Sequence, residues 1–228
     1  SDFEASSDAN RDNVYLVSVT ASDGVGGSTV QNLTVTVTPV NDNNPVFTST
    51  ATPSVAENQT AVVTLTANDA DLPAQTLSFT ITSGADQNKF QIIGGNQLRF
   101  IAPPAFEVPT DATLDNVYLV NVTASDGLGS STVQNLAVTV SNVNESPVVN
   151  DQDFSVAENS VNGTVVGSIL ATDVDAGTRL TFAVTGGTGH GAFAVSAAGQ
   201  ITVVGSSLLD FETTASFSLN VTVSDNGT

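Results

Sequence analysis

The sequence predicts an all-β protein built of tandem antiparallel β-sandwiches, and three observations lead to this fold class. A twelve-residue block, 13–24, returns almost unchanged at 116–127. Apolar residues alternate with polar ones along several runs, which is the period of a half-buried strand, and no run has the period of a helix. The repeat of about 103 residues is a common size for one sandwich. The 228 residues therefore hold parts of three repeats.

Two polar linkers mark the repeat boundaries. The first linker, residues 40–45, reads Val-Asn-Asp-Asn-Asn-Pro, and the second linker, residues 143–147, reads Val-Asn-Glu-Ser-Pro. Asn and Asp favour turns, and Pro lacks the amide that a strand ladder requires. We therefore expect the last two strands of a repeat in 1–42, a complete repeat in 43–145, and a repeat lacking its last strand in 146–228.

The strands of the complete repeat follow from strict alternation of β-branched and aromatic residues with polar ones. Short connections between the strands predict antiparallel pairing, and no segment predicts a helix. The apolar positions are, in chain order, Val63, Leu65 and Ala67; Leu77, Phe79 and Ile81; Phe90 and Ile92; Leu98 and Phe100; Tyr118, Val120, Val122 and Ala124; and Leu136, Val138 and Val140.

We expect two strands in the first incomplete repeat, residues 1–42, and six strands in the second, residues 146–228. An isolated hairpin is marginal in water, and a missing last strand leaves an unpaired edge. One interpretation is that residues 29–38 of a second copy fill this edge and build a head-to-tail filament. The alternative is that the chain is a window on a longer covalent array. The apolar positions are Tyr15, Val17, Val19, Leu33, Val35 and Val37 in the first repeat, and Ile169, Ala171, Phe182, Val184, Phe193, Val195, Ile201, Val203, Phe217, Leu219, Val221 and Val223 in the third.

The charge and composition exclude several partners. The formal net charge is −19 with only four Lys and Arg, so no nucleic-acid partner is expected and divalent cations are favoured. The chain has no Cys and therefore no disulfide. No apolar run reaches the roughly 18 residues of a membrane span, so we expect no membrane insertion. The chain opens Ser1-Asp2-Phe3 without Met or a signal segment, which indicates an internal piece of a longer protein.

Acidic motifs recur at fixed offsets from the predicted strands. One Asp-x-Asp at a strand end is usually a solvated turn, but recurrence beside linkers rich in Asn, Asp and Glu favours a metal site. Strand ends of successive sandwiches meet at a linker, where converging carboxylates repel one another unless a cation binds. Carboxylate and carbonyl oxygens are the ligands of Ca²⁺. The recurring motifs contain Glu57 and Glu158; Asp69, Asp71, Asp173 and Asp175; and Phe3-Glu4, Phe106-Glu107 and Phe211-Glu212.

Together these motifs resemble the cadherin repeat, whose pattern contains an xEx, a DxD, an LDxE, an AxDxG and a DxNDNxP linker. The resemblance covers the whole chain and implies immunoglobulin-like Greek-key sandwiches, with three Ca²⁺ stiffening each linker. It also implies an extracellular or cell-surface protein, and the Cys-free, Thr-rich composition is typical of a microbial surface adhesin. The implied ligands of the first linker are Asp2, Glu4, Asn41, Asp42, Asn43, Asp69, Asp71 and Asp126. Those of the second linker are Glu57, Glu107, Asn144, Glu145, Asp173, Asp175 and Asp225.

The sequence departs from the cadherin pattern at several positions. Pro39 stands where the linker's first Asp belongs, and Ala105 replaces the Asp of the LDxE motif. The second linker is also one residue shorter than the first. We therefore expect the second linker to hold fewer ions or to bind them more weakly. The chain has no Trp, so adhesion by docking of an N-terminal Trp is not expected.

Cell adhesion is the function that the resemblance implies, with calcium ions, other copies of the chain, or surface proteins and glycans as partners. The alternative is a calcium-stiffened spacer or filament subunit without a ligand-binding site of its own. Catalysis is not expected, because an enzyme needs one good carboxylate pair and these pairs recur in every repeat. The single histidine, His190, lies in a Gly-rich turn that no predicted helix follows, so it does not indicate a phosphate site.

Overall fold

The computed structural model describes residues 2–227 and contains β-strands joined by loops and two single turns of 3₁₀ helix. The predicted all-β class is thereby confirmed. The chain divides into two compact units, Ser1–Ser141 and Asn142–Thr228. Within the described residues no helix combines the length and the apolar character that crossing a membrane requires.

The first unit begins with a β-hairpin formed by β1 (Val14–Ser22) and β2 (Ser28–Thr36). The two strands pair antiparallel, with Val17 opposite Leu33. Both strands were predicted from their alternating apolar residues. All nine residues of β2 are exposed, so the hairpin has no packed apolar face among the residues described.

The complete repeat follows the hairpin as a two-layer arrangement of short strands. One sheet has the order β4-β11-β10-β7, and the strands facing it pair as β3-β6 and β5-β9-β8. A 3₁₀ turn, Gln87–Lys89, precedes β8. The strands are β3 (Val46–Phe47), β4 (Ser54–Ala56), β5 (Ala61–Thr64), β6 (Ala67–Asn68), β7 (Ser78–Ser83), β8 (Phe90–Ile93), β9 (Gln97–Phe100), β10 (Val117–Ser125) and β11 (Ser131–Ser141).

The core of this repeat lies between the layers and follows the predicted alternation. Every second residue of β10 from Tyr118 to Ala124 is buried, while its neighbours face outward or are half-buried. Phe100 packs edge-on against Tyr118 with ring centroids 5.0 Å apart. Burying one such large side chain contributes about 1.5 to 3 kcal/mol, so the contact between Phe100 and Tyr118 stabilises the packing of the two layers.

The first strand of the repeat crosses between the two layers. β3 pairs antiparallel with β6, whereas β4 pairs parallel with β11 through the partners Ser54 and Thr139. Pro53 lies between the two segments and is buried. The parallel pairing departs from the predicted antiparallel pattern because β4 and β11 are joined by the whole repeat, so no short turn determines their direction.

The second unit repeats most of these elements. Its pairings are β12-β14, β13-β17-β16 and β15-β18. The core consists of Ala192, Phe193, Ile201, Val203 and Leu209. A 3₁₀ turn, Ser206–Leu208, follows β17. The strands are β12 (Val148–Val149), β13 (Val165–Ser168), β14 (Ala171–Thr172), β15 (Thr181–Gly186), β16 (Phe193–Val195), β17 (Gln200–Val203) and β18 (Asn220–Ser224).

One edge of β18 is unpaired among the residues described. Its counterpart β10 lies between β7 and β11, but β18 pairs with β15 alone. A groove of about 1030 Å³ runs along residues 149–158 and 214–221, and Val156, Phe217 and Leu219 line it. Residues 155–157, which correspond to β4, form no strand, because β4 pairs with β11 and the second unit has no counterpart of β11 among the residues described.

Asp86 is a buried carboxylate that fastens the loop before β10. It is 3% exposed, and it accepts hydrogen bonds from the amides of Ala112 at 2.7 Å and Leu119 at 2.8 Å. Its own amide donates to the carbonyl of Leu119 at 3.0 Å. The carboxylate therefore joins the loop preceding β8 to the start of β10.

We predict that Asp86→Ala lowers the free energy of unfolding of the first unit by about 1 to 3 kcal/mol, because the amides of Ala112 and Leu119 lose their shared acceptor. Urea denaturation measures this change. Gln87→Ala is the matched control, since Gln87 is exposed, and it should change the free energy by less than about 0.5 kcal/mol. Equal effects of the two variants would contradict the assigned role.

Candidate metal centre

The first linker is held against the loop that follows β6. The amide of Asp42 lies 3.5 Å from Oδ1 of Asp71, and the amide of Asn43 lies 3.1 Å from its Oδ2. The side-chain amide of Asn43 donates to Oδ1 of Asp71 at 2.8 Å and to Asp42 at 3.1 Å. Asp71, which is 1% exposed, thus fastens the linker to the complete repeat.

The Asp-x-Asp motif has the same geometry in both units. The amide of Asp71 donates to Oδ1 of Asp69 at 3.0 Å, and the amide of Asp175 donates to Oδ1 of Asp173 at 2.9 Å. In the second unit the amide of Glu145 donates to Oδ2 of Asp175 at 2.8 Å, as the linker amides do to Asp71. The second Asp of each motif therefore accepts hydrogen bonds from backbone amides of a linker.

Hydrogen bonds lower the pKa of two carboxyl groups assigned to the first linker, Asp71 and Asp126. The side-chain amide of Asn43 holds the pKa of Asp71 below its usual range, although burial acts in the opposite direction. Burial raises the pKa of Asp126, but hydrogen bonds from donors including the amides of Leu128 and Ser130 outweigh it, so the pKa is lowered overall. Both groups are therefore anionic near neutral pH.

Three carboxylates meet at the first linker. Glu4, Asp42 and Asp71 each place one oxygen so that all three lie within 4.8 Å of one another. The amide of Leu72 donates to Oε1 of Glu4 at 3.3 Å, which brings the residue against the Asp-x-Asp loop. Oxygens that share one Ca²⁺ lie at most about 5 Å apart, since each bond is about 2.3 to 2.6 Å. The spacing therefore fits a shared calcium ion.

A buried carboxylate oxygen in each unit has no hydrogen-bond donor among the residues described. These atoms are Oδ2 of Asp69 and Oδ2 of Asp173, which occupy equivalent positions in the two motifs. A buried anionic oxygen without a partner is costly. With only four Lys and Arg in the chain, a hard cation is the partner that the donor set fits best.

The other residues assigned to the first linker lie nearby but are already hydrogen bonded. Oδ1 of Asp2 accepts from the amides of Glu4 and Ala5, at 3.1 and 3.3 Å. Oδ1 of Asp126 accepts from the amide of Leu128 at 2.7 Å and from that of Ser130 at 3.1 Å. These carboxylates hold their own loops in place, as Asp71 holds the first linker, and one oxygen each of Glu4, Asp42 and Asp71 forms the group whose spacing a cation fits.

Asn41 joins the linker to the turn that Asp126 organises. Its Nδ2 donates to Oγ of Ser130 at 3.2 Å, and its Oδ1 accepts from Nε2 of Gln75 at 2.7 Å. Ser130 and Gln75 were not identified from the sequence. Uncharged polar residues in turns are too common for their type alone to have indicated these contacts.

The residues assigned to the second linker lie in two units, and each group is ordered within its own unit. In the first unit Glu57 is 2% exposed, and its Oε2 accepts from the amide of Phe106, the neighbour of Glu107, at 2.8 Å. In the second unit Nδ2 of Asn144 donates to Asp225 at 3.3 Å.

Asn142 was missed by the sequence analysis. Its Nδ2 donates to Oδ1 of Asp175 at 3.1 Å, within the second unit. Asn142 occupies the linker position that Pro39 occupies before the first linker. The alignment of Asn142 with Pro39 could have identified Asn142, because the cadherin pattern places a ligand at this position.

A third carboxylate group occurs within the second unit. Glu158, Asp210 and Glu212 place one oxygen each within 4.8 Å of one another, and all three residues are exposed. The amide of Phe211 donates to Oε2 of Glu158 at 3.2 Å, as that of Phe106 does to Glu57. The same local arrangement therefore recurs, but with more solvent around it.

The chain is similar to known proteins both in a family model and in sequence. A family model described as "Cadherin domain" matches residues 152–228. The human protein "Cadherin EGF LAG seven-pass G-type receptor 2" is 35% identical over 207 residues, which cover 86% of this chain and 7% of that protein. Mouse "Cadherin-related family member 2" is 31% identical over 239 residues, covering 96% of this chain and 18% of its own length. The chain thus spans a small part of these relatives.

Solved structures share the fold. Human CDH23 EC21-23 has a TM-score of 0.63 at 19% identity, covering 92% of this chain and 73% of that one. A structure described as "Protocadherin gammaB7 EC3-6 cis-dimer" has a TM-score of 0.62 at 22% identity, covering 96% of this chain and 58% of that one. At these identities the likeness establishes the arrangement of strands.

Proposed function

We propose that this chain, which belongs to the cadherin repeat family, is an extracellular adhesion segment whose linkers are stiffened by calcium. Its location is extracellular or at the cell surface, as for the cadherin ectodomains that it resembles. The observation that carries the calcium proposal is the meeting of Glu4, Asp42 and Asp71 within 4.8 Å. Oδ2 of Asp69, which is buried and has no hydrogen-bond partner among the residues described, supports the calcium proposal.

The three carboxylates come from three successive segments of the chain. Glu4 precedes the β1–β2 hairpin, Asp42 lies in the first linker, and Asp71 follows β6. Bound calcium supplies positive charge and a coordination centre for their oxygens. Without it, the mutual repulsion of the carboxylates favours separation of the three segments. Their ligation therefore restricts bending at the first linker, which is what an extended adhesion protein requires.

Catalysis is not part of this proposal. Glutamates at equivalent positions in two repeats, Glu4 and Glu212, each belong to a group of three carboxylates. Repetition of acidic positions in successive repeats is typical of a structural ion.

We predict that the chain binds calcium with a Kd of about 10⁻⁴ to 10⁻³ M, the range of extracellular modules. Asp71→Asn should weaken binding at the first linker by at least about tenfold, because it removes one ligand charge and part of the linker anchor. Calorimetric titration measures the affinity. Small-angle scattering should show a longer particle in calcium than in chelator for the natural chain.

The control for this experiment is Asp12→Asn. Asp12 is an exposed carboxylate of the same unit that lies outside the three-carboxylate group. It should leave the affinity unchanged. Equal particle dimensions with calcium and with chelator would refute the stiffening, and equal affinities of the two variants would refute the assignment of Asp71.

Position 105 is where a carboxylate is missing from the second set of ligands. Asp2 and Asp210 occupy the equivalent positions in the other repeats, and each accepts the amide of the Glu two residues later, at 3.1 and 3.2 Å. Ala105 can provide neither this hydrogen bond nor a ligand oxygen. We therefore propose that the second linker binds calcium more weakly than the first.

We predict that Ala105→Asp tightens the weaker class of calcium sites by about threefold to tenfold, because one anionic ligand is restored. Ala105→Asn is the matched variant, since it restores the hydrogen bond to the Glu107 amide without a charge, and it should give a smaller gain. Calorimetric titration distinguishes the two. No tightening by Ala105→Asp would show that the loop is aligned incorrectly with the family pattern.

A second candidate function is head-to-tail self-assembly, and the groove along β18 is the observation that favours it. In the first unit β11 occupies the corresponding position beside β10. The exposed strand β2 has the sequence of β11 over Ser131–Thr139 except at one position, where Thr34 replaces Ala137. Strand β2 of a second copy therefore has the side chains that this groove fits.

We predict that, if this second function holds, the chain sediments as a concentration-dependent oligomer and that Leu33→Asp in β2 makes it monomeric. Leu33 is 39% exposed in its own hairpin, so the charge should not unfold the unit. Val25→Asp, in the turn beyond β1 and 90% exposed, is the control. A natural chain that is monomeric at all concentrations would refute self-assembly.

A further inference from the structure

Two loops of the first unit share a sequence pattern that the calcium proposal does not use. Residues 8–13 and 111–116 both read Asp-Ala-x-x-Asp-Asn, and they precede β1 and β10. Their backbones also match at the two unusual positions. Arg11 and Asn13 have φ values of 59° and 62°, and Leu114 and Asn116 have φ values of 59° and 63°. The two loops therefore have one conformation.

The first Asp of each loop organises it by accepting backbone amides. Asp111 is 3% exposed and accepts from the amides of Thr113, Asp115 and Asn116, each at 3.1 Å. Asp8 accepts from the amides of Asp12 at 3.0 Å and Asn13 at 3.2 Å. These N–H donors make the loop a rigid turn, and among the residues described neither Asp8 nor Asp111 belongs to a group of three carboxylates that could share a cation.

The Asn that ends each loop reaches back to the segment containing a proposed calcium ligand. Nδ2 of Asn13 donates to the carbonyl of Phe3 at 2.9 Å, and Nδ2 of Asn116 donates to the carbonyl of Phe106 at 2.9 Å. These Phe residues immediately precede Glu4 and Glu107. Within residues 2–227, Oδ1 of each Asn has no hydrogen-bond partner, so donation to the Phe carbonyl is the polar contact that orients the side chain.

We propose that Asn13 and Asn116 are positioning residues, which fix the peptide before Glu4 and Glu107 and so aim these carboxylates at calcium. The inference rests on the proposed calcium function. At Phe106 the peptide is held on both sides, because its amide donates to Glu57 and its carbonyl accepts from Asn116. A side chain whose backbone is held in this way loses less conformational freedom when it binds a metal.

The second unit provides a natural comparison without this loop. Phe217 lies six positions after Phe211, whereas Tyr118 lies twelve positions after Phe106, and the shorter stretch has no Asp-Ala-x-x-Asp-Asn. There Glu158, Asp210 and Glu212 are all exposed, while Glu57 is 2% exposed. Phe211 is 64% exposed, in contrast to the half-buried Phe106. The carboxylate group that lacks the loop is thus also the less enclosed one.

The test uses two substitutions of Asn13 in the full chain. Asn13→Gly keeps the positive φ without strain but removes the amide donor. Asn13→Asp keeps the shape of the side chain and replaces the donor with an acceptor. We expect each variant to weaken calcium binding at the first linker by about tenfold, the size of effect seen when a residue that orients a metal ligand is removed.

The direction in which Asn13→Asp changes the calcium affinity distinguishes a positioning role from an effect of charge. An added carboxylate near a calcium site should tighten binding if electrostatics alone governs the affinity, whereas loss of the positioning bond should weaken it. Asn10→Gly is the control in the same loop, because Nδ2 of Asn10 donates to Asp12 rather than to the Phe3 carbonyl. It should leave the calcium affinity unchanged.

The measurements are calorimetric titration with calcium and urea unfolding in chelator. Weakened calcium binding by both Asn13 variants, with unchanged stability in chelator, supports the inference. Unchanged affinity, or a loss of stability in chelator that equals the loss in calcium, overturns it in favour of a purely structural bond. Failure of the natural chain to bind calcium would instead refute the proposed function, so the two failures are distinguishable.

Discussion

The hydrogen bonds between a linker and the second Asp of the Asp-x-Asp motif are the interaction on which the rest of the site depends. Asp71 accepts the amides of the first linker, and Asp175 accepts the amide of Glu145. A carboxylate is the acceptor that backbone amides bind most strongly. By holding Asp42 beside Asp71, these bonds create the acidic pair that Glu4 then joins. The linker therefore follows the sandwich rather than moving independently of it.

The buried carboxylates of the residues described differ in whether their oxygens accept hydrogen bonds. Asp86, Asp111 and Asp126 are buried carboxylates whose oxygens accept backbone amides, so that N–H dipoles take the place of the missing basic side chains. Asp69 and Asp173 keep a buried oxygen that accepts no hydrogen bond among the residues described. The first class shapes loops, and the second class leaves charge to be neutralised. A chain with 23 acidic and four basic residues can fold in this way because amides stabilise most of its buried charge.

The repeats differ in how completely they surround their carboxylates. Position 105 lacks the capping Asp that positions 2 and 210 have, and the segment before β18 lacks the Asp-Ala-x-x-Asp-Asn loop. The first difference removes a ligand oxygen together with an acceptor for the Glu107 amide, and the second removes support from a ligand that is still present. Affinity in such sites depends on charge count and on rigidity together. A graded series of sites within one array would let the segments stiffen at different calcium concentrations.

The sequence by itself determined the all-β class, the long strands and the family, because alternation along residues 117–125 and the doubled block at 13–24 are local properties of the chain. It did not identify the short strands β3, β4 and β12, and it joined β5 and β6 into one strand. The sequence also identified the acidic motifs, but it could not show that Glu4 meets Asp42 and Asp71, or that Asp126 accepts the amides of its own turn. Those contacts depend on the backbone conformation of the loops. The parallel pairing of β4 with β11 and the bond from Asn116 to Phe106 were likewise visible only in the tertiary structure. β4 and β11 are distant along the chain, and Asn116 reaches Phe106 across a loop of irregular backbone, so the alternation of side chains carries no information about either contact.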